Sequence, residues 1–170
     1  DIADRVGEPV VGRTDEEQGF DSPWTGFGVH VVDVSVDPET AEFKVLNYTA
    51  VQETGRILNT IGFHSQIEGG IVQSIGSAMM EGLFFDESGR VSNPSFADMK
   101  LPTSRDIPPL NTVVLESDDG HGQYKVRGIG EHTNAMAAPA IANAIADAVD
   151  ARLYSMPLTS ENLYNTLNTK

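Results

Sequence analysis

Hydrophobic and polar residues alternate over residues 27–36 and again over 41–51. A period of two residues predicts β-strands that bury one face. On the buried face of the first run we expect Val32, Val34 and Val36. The residues between the runs, Asp-Pro-Glu-Thr at 37–40, are typical of a turn. The pattern therefore predicts a β-hairpin.

The period changes to four residues over 67–85, which predicts a helix with one apolar face. Ser65 with Glu68 three residues later fits a capping box, so we expect Ser65 to be the N-cap. A second helix is expected around Pro139, which is tolerated in a first turn. The predicted apolar stripes of the two helices are Ile67, Ile71, Ile75, Met79 and Leu83, and Ile141, Ile145 and Val149.

The remaining segments are shorter. Residues 93–110 contain four prolines and are predicted to form an ordered loop. Residues 112–116 and 123–126 are predicted to be short strands, and 160–167 a short helix. The predicted fold class is therefore α+β, with a β-hairpin, short strands and two principal helices.

The predicted organisation is a single domain with two flanking segments. Residues 1–26 are rich in Gly, Asp, Glu and Pro and form an irregular lead-in segment. The domain covers residues 27–160, and residues 161–170 form a polar tail. The chain begins with Asp, so we expect a processed product or a piece of a longer protein.

Composition limits the function classes. The net charge of −14 argues against nucleic acid as a partner, because phosphate binding needs Lys and Arg. Without cysteine the chain holds no thiolate zinc or iron–sulfur cluster, and four scattered histidines do not suggest a metal site. No apolar run is long enough to span a membrane, so we expect a soluble, cytoplasmic protein.

The first helix has a second face made of small and amide residues, within an arc of about 120°. They are Gln66, Gly69, Gly70, Gln73, Gly76 and Ser77. Each helical glycine costs about 1 kcal/mol relative to alanine, so something must approach this backbone closely. Tight packing is the more common reason, but the amide of Gln73 in the middle of the face favours a ligand.

Residues 128–131, Gly-Ile-Gly-Glu, interrupt the strand pattern ahead of the second helix. Gly128 and Gly130 permit a sharp turn and a close approach to a ligand. They would place Glu131 at a helix entrance, where a carboxylate is more commonly a helix-dipole partner or an exposed loop residue than a catalytic group. The nearby Asp118, Asp119 and His121 are more typical of a turn than of a metal site.

Four runs of this sequence resemble, in the same order, motifs of the molybdenum hydroxylases, the xanthine dehydrogenase/aldehyde oxidase family. They are residues 66–76, residues 93–103 with Asn-Pro and Lys-Leu-Pro-Thr, residues 128–145 with Gly-Ile-Gly-Glu, and residues 156–159 with Met-Pro-Leu-Thr. The chain resembles the C-terminal part of the family's molybdenum-cofactor-binding subunit, and its fold is expected to be a portion of that molybdopterin-binding domain.

The resemblance implies roles for single residues. Glu131 corresponds to the general base, which takes a proton from a molybdenum-bound hydroxyl while a C–H bond of an N-heterocycle or aldehyde is oxidised with water as oxygen source. Gln73 corresponds to the glutamine that contacts the cofactor, and Gly76, Gly128 and Gly130 to glycines that leave room for it. The alternative is a non-catalytic scaffold module of the same complex.

The resemblance also implies partners. The molybdenum–molybdopterin cofactor would be shared with the remaining portion of the molybdenum subunit, and iron–sulfur clusters and FAD would lie on other subunits. The substrate would be a small molecule. Its identity is not implied, because His132, beside the expected base, stands where the family often has proline.

Overall fold

A computed structural model describes residues 7, 11 and 26–169. Nearly all of the predicted lead-in segment, 1–26, therefore lies outside the described residues. The elements in chain order are β1 (Phe27–Val36), β2 (Phe43–Glu53), α1 (Thr60–Met79), β3 (Leu110–Leu115), α2 (Ala137–Val149) and α3 (Ser160–Asn168). The predicted α+β class, with a hairpin and two principal helices, is confirmed.

The three strands form one sheet in the order β1-β2-β3. β1 and β2 pair antiparallel as the predicted hairpin, whereas β3 pairs parallel with β2. In the hairpin turn, Asp37 Oδ1 accepts hydrogen bonds from the backbone N–H groups of Glu39 and Thr40, at 2.9 and 3.2 Å. Ala41 closes the turn with a φ of 58°. The turn chemistry predicted for 37–40 is thus what joins the strands.

Helix α1 begins and ends earlier than the sequence pattern predicts. Its N-cap is Asn59, whose side-chain oxygen accepts a hydrogen bond from Gly62 N at 2.9 Å, so the prediction of Ser65 as the cap is wrong. The helix ends at Met79, and Leu83 is consequently 60% exposed rather than part of the apolar stripe. The early start places Phe63 one turn before Ile67, which lengthens the buried stripe toward the N-terminus.

The core lies between one face of the sheet and the helices. It includes Tyr48 of β2 and the isoleucine stripes of both principal helices, Ile67, Ile71, Ile75, Ile141 and Ile145, each at most 1% exposed. Apolar burial of this kind is the main favourable term in folding. Leu163 of α3 is fully buried in the same cluster, so the segment predicted as a polar tail adds a side chain to the core.

The strand predicted at 123–126 does not form. Lys125 has a φ of 54°, which is incompatible with extended backbone. Val126 makes only isolated bridges, to Gly55 and to His121. The segment is thereby held against the chain that leaves β2, without becoming a strand of the sheet.

Two adjacent glycines of α1 have different surroundings. A Cβ on Gly70 would overlap Thr133 Oγ1 and would lie 2.7 Å from Asn134 Oδ1. A Cβ on Gly69 would meet nothing within 4 Å. Thr133 is 2% exposed and donates a hydrogen bond to Ile67 O at 3.3 Å, which restricts its side chain. Close packing within the chain therefore explains the glycine at 70 but not the one at 69.

We predict opposite effects for alanine at these two positions. Gly69→Ala should raise the free energy of unfolding by up to about 1 kcal/mol, because alanine favours helix. Gly70→Ala should lower it by about 1–3 kcal/mol despite the same gain, because the added methyl group overpacks against Thr133. Urea unfolding of the two variants beside the parent protein measures both. A Gly70→Ala protein at least as stable as the parent would contradict the contact.

Candidate functional site

The polar face of α1 is in contact with residues 128–136, here called the glycine loop. Gln66 Nε2 donates a hydrogen bond to Gly130 O at 3.5 Å, near the N-terminal end of the helix. About two helical turns further on, Asn134 Nδ2 donates to Gln73 Oε1 at 3.2 Å. The two segments that the sequence singled out, far apart in the chain, are thus brought together.

Glu131 lies in the glycine loop with its side chain exposed. The prediction that it stands at a helix entrance is wrong, because α2 begins only at Ala137. Ser74 of α1 occupies that entrance, where its Oγ accepts a hydrogen bond from Ala137 N at 3.1 Å. Glu131 instead belongs to a turn closed by a bond from Asn134 N to Glu131 O at 3.2 Å. Its carboxylate is therefore not used as a helix cap.

Asn134 links the two predicted site residues. Its backbone N–H binds the carbonyl of Glu131, and its side chain binds the amide of Gln73. Both Glu131 and Gln73 are exposed, while Asn134 is partly buried between them. The carboxylate-bearing turn is thus held to the middle of α1. Sequence reasoning missed Asn134, since no local pattern marks a contact across 61 positions.

The glycines predicted to leave room for a cofactor fall into two groups. A Cβ on Gly128 or on Gly130 would meet nothing within 4 Å, so the backbone of the loop is accessible there. A Cβ on Gly76 would meet Glu81 and would lie 2.9 Å from Pro102 Cδ. Packing within the chain explains the glycine at 76, and room for a ligand is available at 128 and 130.

An ion pair stands at the start of the glycine loop. Arg127 Nη1 donates to Glu53 Oε2 at 2.7 Å, and the two side chains are 5% and 16% exposed. Glu53 also accepts hydrogen bonds from Ser117 Oγ and from Gly55 N. The bond from Ser117, with the help of Gly55 and Arg127, lowers the pKa of the Glu53 carboxyl below its ordinary value. This carboxylate is therefore held in its charged form.

An open cleft of about 360 Å³ lies between the start of α1 and the residues that lead into the glycine loop. Among its lining residues are Thr54, Ile57, Phe63, Gln66, Val126 and Ile129. Neither Glu131 nor Gln73 lines it. The two predicted site residues are exposed and lie outside this cleft.

Within the described part of the chain, no three His, Asp or Glu side chains come together as metal ligands. Asp118, Asp119 and His121 accordingly form no such group. Across residues 26–169, no helix combines the length and hydropathy that crossing a bilayer requires.

The chain matches the family model described as molybdopterin cofactor-binding domain over residues 6–108. Gln73 and Gly76 lie inside the matched range, and Glu131 lies beyond it. A relative that extends further is the 6-hydroxypseudooxynicotine dehydrogenase complex subunit gamma of Paenarthrobacter nicotinovorans. It is 31% identical over 142 residues, which is 82% of this chain and 18% of that protein.

Two further comparisons also give proteins that oxidise or dehydrogenate small molecules as relatives. The putative xanthine dehydrogenase molybdenum-binding subunit XdhA of Escherichia coli K12 is 33% identical over 139 residues, covering 81% of this chain and 18% of that protein. Quinoline 2-oxidoreductase from Pseudomonas putida 86 has a similar structure, with a TM-score of 0.79 and 27% identity. That match covers 84% of this chain and 19% of the solved chain.

The chain spans about a fifth of the length of the curated relatives it matches. The family match covers more than half of the chain, and the structural likeness covers most of it. The fold that brings α1 and the glycine loop together is the one shared with molybdenum hydroxylase large subunits. The chain therefore belongs to the molybdopterin cofactor-binding domain family, found in molybdenum-binding subunits of xanthine dehydrogenases and aldehyde oxidoreductases.

Proposed function

We propose that this chain supplies the general base, Glu131, and a cofactor-contacting amide, Gln73, to a cytoplasmic molybdenum hydroxylase. The observation that carries the proposal is the hydrogen bond between Asn134 and Gln73, which holds the turn of Glu131 against the middle of α1. The reaction would oxidise a C–H bond of an N-heterocycle or an aldehyde, with water as the oxygen source. Gly128 and Gly130 keep the loop backbone accessible to a ligand.

The residues present fit one wall of a molybdopterin site. Gln73 offers an exposed amide that can donate and accept hydrogen bonds, and the helix backbone beside it is open at Gly69. When bound, the cofactor supplies the two-electron redox chemistry. This chain presents an open surface, so a second polypeptide region must close the site and exclude water.

The proposed step for this chain is proton transfer. Glu131 would accept a proton from the water-derived oxygen as that oxygen attacks the electron-poor carbon of the substrate, and the hydride of the broken C–H bond would pass to the cofactor. Two features support this role. The carboxylate has no helix-capping function, and its turn is tied to Gln73 through Asn134. A backbone held in this way limits the positions that the Glu131 side chain can reach.

The outer face of the sheet has the properties of a contact surface, and the partner that we propose for it is the remaining portion of the molybdenum subunit. The helices pack on one face only, and the other face carries large exposed apolar side chains with fractional exposures of 45–67%. They are Phe27, Val29, Val31, Val113 and Leu115. An apolar area of this kind marks a contact surface. We propose that the rest of the subunit covers it, and that iron–sulfur and flavin subunits complete the electron path.

Glu131→Gln in the assembled enzyme should lower kcat by at least about a hundredfold, because the amide cannot accept the proton. Molybdenum content, measured by elemental analysis, should stay at the parental level. Glu39→Gln, which changes an exposed carboxylate in the hairpin turn, is the matched control and should leave kcat unchanged. Near-parental turnover of Glu131→Gln would leave the scaffold role as the better account.

Gln73→Ala should lower the molybdenum content or the turnover of the assembled enzyme, because a ligand contact and the bond from Asn134 are both lost. The thermal unfolding temperature should change little, since Gln73 is exposed. Gln123→Ala, at an exposed turn, is the control. If Gln73→Ala unfolded the protein while the folded fraction kept full activity, the glycine-lined face would be a packing surface only.

Val29→Asp should reduce the yield of assembled, molybdenum-containing enzyme, because a carboxylate would be buried in an apolar contact without a partner charge. Ser35→Asp, on an exposed position of the same strand, serves as the control. Size-exclusion chromatography with metal analysis measures both. Full assembly of Val29→Asp would show that the outer face of the sheet stays in water.

A further inference from the structure

The glycine loop is anchored at both ends, and the anchors are of different kinds. At its far end, Thr133 and Asn134 bind α1. At its near end, the preceding residue, Arg127, binds Glu53 at the end of β2. Between the anchors stand Gly128 and Gly130, where a side chain would meet no other atoms. Ile129, between the two glycines, packs against the core, and Gln66 Nε2 donates to Gly130 O at 3.5 Å. The path of this stretch therefore depends on these contacts together with the two anchors.

At the near anchor, all three nitrogens of the Arg127 guanidinium group donate hydrogen bonds. Arg127 Nη1 binds Glu53 Oε2 at 2.7 Å, while Nη2 and Nε bind the carbonyl oxygen of Asp119 at 3.0 and 3.3 Å. A guanidinium in this arrangement is fixed in orientation as well as position, because its donors diverge in one plane. Lysine offers the same charge without that planar fork.

The carboxylate that receives Arg127 is itself fixed. Glu53 stands at the end of β2 and accepts hydrogen bonds from Gly55 N at 3.0 Å and from Ser117 Oγ. The backbone beside it is also held, since Arg56 N donates to Lys125 O at 2.8 Å. The ion pair therefore connects the start of the glycine loop to the end of β2.

We propose that the Arg127–Glu53 ion pair positions the carboxylate of Glu131. Arg127 is a positioning residue: it lies four residues before the proposed base and acts through the loop backbone. This inference rests on the proposed function of Glu131. The anchoring effect of the ion pair can be tested separately, because losing the pair should loosen residues 128–132 whether or not Glu131 is the base.

Arg127→Met in the assembled enzyme tests the proposal. It should lower kcat by about tenfold to a hundredfold with little change in KM, because the base is displaced while the binding surface remains. Hydrogen exchange of the amides of residues 128–132 should become faster by about tenfold or more, since the local opening of the loop becomes easier. Arg127→Lys should recover part of both losses, and Arg105→Met, at an exposed site, should show neither.

Glu53→Gln provides a second route to the same result, should Arg127→Met fail to assemble. It keeps the size of the side chain and removes the charge that Arg127 binds, so it should reproduce the faster exchange and the lower kcat. A lowered unfolding temperature with parental exchange in residues 128–132 and parental kcat would make the pair purely structural and overturn the proposal. If Glu131→Gln were fully active, the assignment of Glu131 as the base would fail. The hydrogen exchange of residues 128–132 alone would then show whether the Arg127–Glu53 pair holds the glycine loop.

Discussion

The site depends on the close approach of the glycine loop to the backbone of α1 at Gly70. No side chain stands there, and Thr133 and Asn134 occupy the space that a methyl group would fill. Because this contact is tight, the side chain of Asn134 reaches Gln73 and its backbone closes the turn of Glu131. A looser contact between the helix and the loop would separate the two predicted site residues.

The rest of the fold holds α1 and the glycine loop in the positions that this contact requires. The isoleucine stripes of α1 and α2 bury both helices on the sheet, and Ser74 Oγ holds the first N–H of α2 against α1. The sheet in turn provides Glu53, the fixed partner of Arg127. Buried apolar packing thus sets the position of the helices, and a small number of directed polar contacts sets the path of the loop between them.

Local sequence patterns predicted the parts of the fold that depend on neighbouring residues. The valine alternation of β1 and the isoleucine stripes followed from periodicity, because each face is set by residues two to four positions apart. The ends of α1 did not follow from periodicity. Gly62, in the first turn, is unfavourable in a helix and obscured the start, and Leu83 continued the apolar spacing beyond Met79 although it is exposed. Lys125 in a left-handed conformation likewise ended a strand that its neighbours favoured.

The candidate site was only partly predictable. Glu131 and Gln73 were identified through resemblance to a family, and that assignment remains a prediction for this chain. Asn134, Arg127 and Glu53 carry no local signal, because their partners lie far away in the sequence. Gly70 was singled out as a place of close approach, but what approaches it is Thr133 of the same chain.

We propose that the side chains of Glu131 and Gln73 face one molybdopterin from the same side. An experimental structure of the assembled enzyme with its cofactor and a bound inhibitor tests it most directly. We expect the Glu131 carboxylate to lie within hydrogen-bond reach of the reacting oxygen, at about 2.6–3.2 Å or through one water, with the Gln73 amide beside the cofactor. A carboxylate turned to bulk water, remote from the cofactor, would contradict it.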